Sequence, residues 1–152
     1  MSSELAIALP GQKISIEMDQ WTAPFWEAAK NEQLTTAKCG GCGTFRMPPT
    51  PFCPECHSQE VSWPVLPGTG EVYSYTICRR SPYPDIPNFT YIPIIVGVDG
   101  APGVRIISSA IGITPNDIEI GMKMTVDWHE INGGWKIPVF RKAEQASPGT
   151  NR

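Results

Sequence analysis

Cys39-Gly40-Gly41-Cys42-Gly43-Thr44-Phe45-Arg46-Met47-Pro48-Pro49-Thr50-Pro51-Phe52-Cys53-Pro54-Glu55-Cys56 is the stretch around which the rest of the chain is organised. It holds two Cys-x2-Cys pairs separated by ten residues. Each pair fits one tight turn, so each turn aims two thiolates at a common point. Two such turns brought together complete a four-sulfur tetrahedron, the arrangement that structural zinc prefers. Cys39, Cys42, Cys53 and Cys56 are therefore the expected metal ligands, with a structural Zn2+ as the ion; free thiols or disulfides are the competing reading. Gly40, Gly41 and Gly43 supply the freedom a knuckle needs at positive φ, and Pro54 pre-sets the second turn. A site of this kind holds a region together and performs no reaction.

Outward from this stretch, composition narrows the class. The chain has 152 residues, room for one ordinary domain with a small metal-stapled module beside it. Its 16 prolines and 14 glycines favour turns and short strands over helix. Twelve basic against fifteen acidic side chains give a net charge of −3, and no basic block stands out. Counter-ion release on a phosphate backbone needs clustered Lys and Arg, so nucleic acid is a poor partner. Met1-Ser2-Ser3-Glu4-Leu5 lacks the basic start and apolar core of a signal peptide, and no apolar run approaches a membrane span. Thiolate ligands without a secretion signal point to the reducing cytoplasm.

On the N-terminal side, residues 1–18 show no clear period and read as a flexible arm. Asp19 and Thr22 offer capping oxygens ahead of Pro24, which predicts one short helix over about 22–32. Phe25 and Trp26 are adjacent on it. They either pack on their own domain or anchor a partner, because one short helix cannot easily bury two neighbouring aromatics. Between the knuckles the prolines exclude a deeply paired strand. Pro64, Pro67, Gly68 and Gly70 mark a linker, so helix and ribbon occupy 19–66.

The pattern then changes to strands: 71–79, 91–98, 104–112, 122–131 and 135–140, rich in β-branched and aromatic residues. The proline-rich loop 80–89 joins the first two, and Thr114-Pro115-Asn116-Asp117 predicts one helical turn after the third. Asn132-Gly133-Gly134 turns between the last two. Three strands, a short helical connection and two more strands is the order of the OB-fold, a five-stranded Greek-key barrel, placed at 67–142. Residues 143–152 are expected to form a disordered tail.

Taken in order, Pro24-Phe25-Trp26-Glu27-Ala28, the two knuckles, Pro48-Pro49-x-Pro51-Phe52 leading into Cys53, Gly70-Glu71-Val72-Tyr73-Ser74-Tyr75-Thr76, Ile120-Gly121-Met122 and Ile137-Pro138-Val139-Phe140-Arg141 carry a family resemblance from about residue 22 to 142. The chain resembles the DUF35-type proteins, which join a rubredoxin-like zinc ribbon to an OB-fold and are associated with acyl-CoA enzymes. The resemblance implies a mainly β protein and a small partner of a thiolase-like catalytic subunit. Such a partner supports a complex that makes or breaks carbon–carbon bonds, as in acyltransferases or in thiolases and aldolases of aromatic or steroid breakdown. One departure is His57, which follows Cys56 where such knuckles commonly carry glycine.

Catalysis by the chain alone is not expected. Four of the five cysteines are assigned to metal. Cys78 lies within a strand, where a small buried hydrophobe is its ordinary role. Of the two histidines, His57 adjoins a knuckle as an alternative ligand at most, and His129 reads as a surface or interface residue. Asp117 and Glu119 read as solvated loop carboxylates, and no phosphate-cradling glycine motif is present. A shared acyl-CoA or CoA site would want cations beside apolar surface: Arg79 and Arg80 first, with Arg46 and Lys136 behind them. Phe25, Trp26, Tyr83 and Phe89 are the expected partner interface, with Trp63 and Trp135 as further aromatics.

The expected function is thus a zinc-containing accessory subunit in a hetero-oligomer, the ribbon and helix docking the catalytic chain. Two alternatives come from other classes. OB-folds and zinc ribbons both bind nucleic acid, but the second and third strands lack stacking aromatics. Four thiolates also accept iron, as in rubredoxin-type electron carriers, and a red chromophore would mark that case.

Overall fold

The structure is a computed structural model and describes residues 4–144. One helix, α1 (Ala23–Lys30), precedes three short strands, β1 (Ala37–Cys39), β2 (Phe45–Arg46) and β3 (Val61–Ser62). Five longer strands follow: β4 (Thr69–Tyr75), β5 (Ile92–Val98), β6 (Arg105–Ala110), β7 (Lys123–Glu130) and β8 (Lys136–Lys142). In the ribbon, β1 lies between β2 and β3, antiparallel to both. In the second part the order β4-β5-β6-β8-β7 closes on itself. All pairings are antiparallel except β6 with β8, which meet in parallel at Ala110 and Phe140. This is the OB barrel that the strand order predicts.

Alternation explains closure. Along β5, Ile92, Ile94, Val96 and Val98 point inward and are buried, while the residues between them are half-buried. Phe140, Met124 and Val72 meet them in the centre, each 1% exposed or less. Near the start of β4, a Cβ on Gly70 would collide with the Gly97 carbonyl, so only glycine allows the strands to approach so closely there. Between Val72 and Ser74 the register slips by one residue, leaving Tyr73 at a bulge on the outer face.

The ribbon is welded to this barrel and does not hang from a linker. Phe25 of α1 and Leu34 belong to the same apolar cluster as the barrel core, with Trp26, Phe45, Met47 and Trp63 packed against it. Val65 bridges Thr35, and the Leu66 N–H donates to the Leu34 carbonyl at 2.7 Å. The residues read as a linker thus form the seam between the two parts.

Several boundaries differ from the sequence expectations. The described part of the arm is not loose. Ala6 is 1% exposed, its N–H donates to Ile113 O at 2.8 Å, and its carbonyl accepts from Gly112 N at 2.9 Å. Ile7 N donates to Thr90 O, so the arm takes up backbone groups at the edge of the barrel. A short 3-10 turn, Gly11–Lys13, follows. The first long strand ends at Tyr75, and Cys78 makes only an isolated bridge with Tyr91. Residues 114–117 form a turn and no helix: Asp117 N donates to Thr114 O, and the Thr114 hydroxyl donates to the Asp117 carboxylate at 2.8 Å. The predicted tail, 143–152, lies outside the described residues from 145 onward. No helix among the described residues is long and apolar enough to cross a membrane.

Candidate metal centre and the cleft beside it

The four knuckle cysteines converge. Each first cysteine is buried in the ribbon, Cys39 at 2% exposed and Cys53 at 0%, whereas Cys42 and Cys56 are exposed on the outer side. The sulfur atoms all lie within 4.8 Å of one another. Cys39 and Cys56 Sγ are 3.5 Å apart, and Cys42 and Cys53 Sγ are 3.6 Å apart. Four sulfurs bound at ~2.3 Å to one tetrahedral ion would sit about 3.8 Å from each other. The donor set therefore fits a tetrahedral ion with little rearrangement.

Local backbone favours thiolates here. The Cys42 N–H, 3.4 Å from Cys39 Sγ, and the Gly41 N–H at 3.2 Å draw the Cys39 thiol down to about 6 against the effect of burial. The Cys42 thiol is lowered chiefly by Thr44, whose hydroxyl oxygen lies 3.1 Å from its sulfur. At Cys56 the Ser58 N–H acts downward, but crowding by Cys39, burial and the other two sulfurs outweighs it and pushes the thiol up to about 11. Four thiolates cannot share this space without a cation between them.

Both knuckles end in a left-handed residue, Gly43 at φ 79° and His57 at φ 65°. After each, the chain returns its N–H to the knuckle: Gly43 N donates to Cys39 O at 3.0 Å, and His57 N to Cys53 O at 2.9 Å. His57 therefore fills the position that glycine fills in the first knuckle. It is exposed and outside the group of converging ligands.

Next to the ribbon lies a cleft of about 420 Å³. Its walls come from the arm (Leu9, Ile14), α1 (Trp26), the inter-knuckle segment (Met47, Pro49) and the barrel strands β6 and β8 (Ile107, Ile137). The lining is largely apolar, and Arg105 is its one charged residue. Arg105 also reaches across the outer face of the barrel, its guanidinium 3.8 Å from the centroid of Tyr73.

The residues expected at a CoA site or an interface separate into two groups. Arg79 and Arg80 are exposed, and neither is in an ion pair among the described residues. Arg46 is corrected to an internal role: it is 7% exposed, and its Nε donates to the Thr50 carbonyl at 3.0 Å, holding the inter-knuckle segment. Lys136 is half-buried and tied to Glu32 at 2.6 Å. Phe25 and Phe89 are likewise corrected: at 4% and 8% exposed, they are core residues and not surface anchors. Phe25 meets Trp26 edge-on at 4.8 Å, so the adjacent pair divides into one buried and one half-buried ring. Tyr83 is half-buried under Lys13, and Trp135 is half-buried under Lys30.

Among the described residues, the catalytic candidates named from sequence are not brought together. The His129 ring meets the Leu9 carbonyl at 2.7 Å, which pins the arm. Cys78 is half-buried near Tyr91, and Asp117 and Glu119 are exposed. The pair missed from sequence is Tyr73 with Arg105. Strict alternation along β4 and β6 would have placed both outside, together with Ile107, an apolar residue at an outward position.

The chain is similar to proteins of one kind along most of its length. Residues 26–62 match the ChsH2 rubredoxin-like zinc ribbon domain, and residues 63–129 match the ChsH2 C-terminal OB-fold domain. A probable enoyl-CoA hydratase alpha subunit of Thermomonospora curvata is 40% identical over 120 residues, which cover 78% of this chain and 37% of that protein. The chain thus spans little more than a third of the length of that subunit. A DUF35 domain-containing scaffold protein of Methanocaldococcus jannaschii is 27% identical over 115 residues, covering 74% of this chain and 80% of that one. Among solved structures, a chain of the Ltp2-ChsH2(DUF35) aldolase superposes with a TM-score of 0.76 at 34% identity, over 84% of this chain and 98% of that one. A ribbon followed by a barrel, in that order, is what both family models and the superposition match, and this protein belongs to the DUF35 family of ChsH2-type zinc-ribbon and OB-fold proteins.

Proposed function

We propose that this chain is a zinc-stapled accessory subunit of a thiolase-like enzyme that makes or cleaves a carbon–carbon bond on a CoA thioester. The observation that carries this reading is the likeness, over 84% of this chain and 98% of the other, to a chain of the Ltp2-ChsH2(DUF35) aldolase. The chain's own side chains agree with it. Among the described residues no nucleophile stands within reach of a base and an orienting third group, so the reacting cysteine and histidines belong to the partner. Zinc is the ion of choice for a closed four-thiolate site that binds no water and needs no redox change. It would fix the knuckles and leave chemistry to the other chain.

In this reading Arg79 and Arg80, exposed beside the proline-rich loop and without an ion pair among the described residues, meet the phosphates of CoA. Phosphate recognition by two arginines is electrostatic and geometric together, so lysine would replace it only in part. The test is co-expression with the thiolase-like chain of the source organism, followed by co-purification and acyl-CoA turnover. Association with a gain in turnover over the large chain alone is the expected outcome. A pair that neither associates nor differs in activity refutes the reading. Arg79→Glu with Arg80→Glu is expected to raise KM for the CoA thioester by about tenfold, the loss of one to two charge-assisted contacts.

A further inference from the structure

With Phe25 and Phe89 buried in the chain's own core and Trp26 and Tyr83 half-buried, the outer face of β4, β5 and β6 has the better composition for a docking surface. Directly opposed residues place Glu71, Gly97 and Arg105 in one row, and Ser74, Ile95 and Ile107 in the next. Ile107 is 80% exposed, Tyr73 51%, and Ile120, on the connection before β7, 68%. A single exposed isoleucine is ordinary surface. Here Tyr73 and Ile107 on these strands, with Ile120 on the neighbouring connection, lie on one face with a single arginine. Aromatics and arginine are enriched at the centres of protein interfaces, where lysine and glutamate are depleted.

Two details give the face a shape and a charge. At Gly97 nothing lies within 4 Å of where a Cβ would sit. The missing side chain opens a hollow of about 300 Å³ walled by Tyr73, Arg105 and Ile120, room for an inserted side chain. Glu71, the one carboxylate lining that hollow, is already neutralised by Lys123 at 2.7 Å. Arg105 has no ion-pair partner among the described residues and sits over the Tyr73 ring, so its charge is partly pre-positioned. The face therefore carries one cation without an ion-pair partner among the described residues, beside apolar side chains. One cation does not suit a polyanion, which needs a cluster.

We infer that the β4–β5–β6 face, centred on Arg105, Tyr73 and Ile107, is the surface that docks the catalytic subunit, and that the subunit meets it with apolar side chains around a carboxylate. This rests on the proposed function for the existence of that partner. Because Arg105 and Ile107 also line the rim of the cleft, the docked subunit covers the cleft's mouth.

The test measures the affinity of the full chain for the thiolase-like subunit, using Ile107→Glu, Arg105→Glu and, on the ribbon, Phe52→Glu. Phe52 is 54% exposed, and all three positions are surface, so unchanged far-UV spectra and thermal midpoints check the fold. Ile107→Glu and Arg105→Glu are each expected to weaken binding at least about tenfold, with Phe52→Glu near wild type. A carboxylate-to-lysine change in the partner that restores binding to Arg105→Glu, and not to Ile107→Glu, supports the charge pairing. If wild type fails to bind at all, the proposed function fails. If wild type binds and Phe52→Glu alone disrupts it, docking lies on the ribbon and this assignment is overturned while the function stands. Self-association lost in Ile107→Glu, or adenine-nucleotide binding lost in Arg105→Glu with partner affinity intact, would also overturn it.

Discussion

Ribbon and barrel are neighbours in one chain, yet they are stabilised by different means. The barrel closes through five strands whose inward residues fill a continuous core, with Phe140, Ile92 and Met124 fully buried. The ribbon offers three strands of two or three residues, too short to bury a core of their own. Its far end contains four sulfurs and little apolar surface; its near end borrows the barrel's core through Leu34, Phe45 and Met47. The difference teaches that the converging thiolates stand where the hydrophobic contacts stop, the place where a metal staple would be needed. It also means that the two parts can be broken separately.

The largest effect is expected from removing that staple. Cys39→Ser, or a strong chelator on the wild-type chain, should take the bound ion from one per chain to none. Metal binding and folding are one event in such modules, with about 10–16 kcal/mol of apparent binding energy in zinc-finger peptides. Hydrogen exchange should then accelerate across residues 39–60 and remain slow in β5 and β8. Metal analysis with exchange mass spectrometry reads both. Loss of protection in the barrel as well would mean that the seam at Leu34 and Leu66 makes one cooperative unit of the two parts.

How much of this was visible beforehand follows the same division. The convergence of the four cysteines was legible because spacing constrains it: two residues between cysteines permit one turn and little else. Barrel order was legible because period-2 alternation and turn residues repeat five times. What sequence hid were the contacts that depend on packing between distant segments. Residues 4–9 carry no period, since their backbone groups are satisfied by Thr90, Gly112 and Ile113 and not by a regular ladder. Phe25 and Trp26 looked alike on paper, but the seam takes one ring and leaves the other half out. Arg46 is charged and so reads as surface, yet its guanidinium is drawn inward to the Thr50 carbonyl. Arg105 was unremarkable until the fold set it over Tyr73.

A second break belongs to the barrel. Phe140 is 0% exposed and sits where β8 meets β6, so Phe140→Ala should cost about 3–5 kcal/mol in the global unfolding transition. Urea denaturation of the metal-loaded chain measures it. The knuckles should keep their ion at sub-denaturing urea, because no cysteine shares a hydrogen bond or core contact with Phe140. Metal release in parallel with barrel unfolding would collapse the distinction between the two parts.

The smallest effect sharpens the comparison inside the ribbon itself, between its two knuckles. They perform the same turn with different residues: Gly43 reaches φ 79° freely, whereas His57 holds φ 65° with a side chain attached. A left-handed residue other than glycine costs roughly 1–2 kcal/mol, lessened for types such as His that are found there more often. His57→Gly should therefore tighten metal binding, by about fivefold if it recovers ~1 kcal/mol. Gly43→Ala should loosen it by a similar factor. The second change cannot be blamed on crowding, because the nearest atom to a Cβ at Gly43 is Lys38 Cε at 3.8 Å. Competition with a chromogenic chelator resolves a factor of this size. Equal affinities for wild type and His57→Gly would mean that the imidazole contributes something that offsets its strain, and the two knuckles would not be equivalent after all.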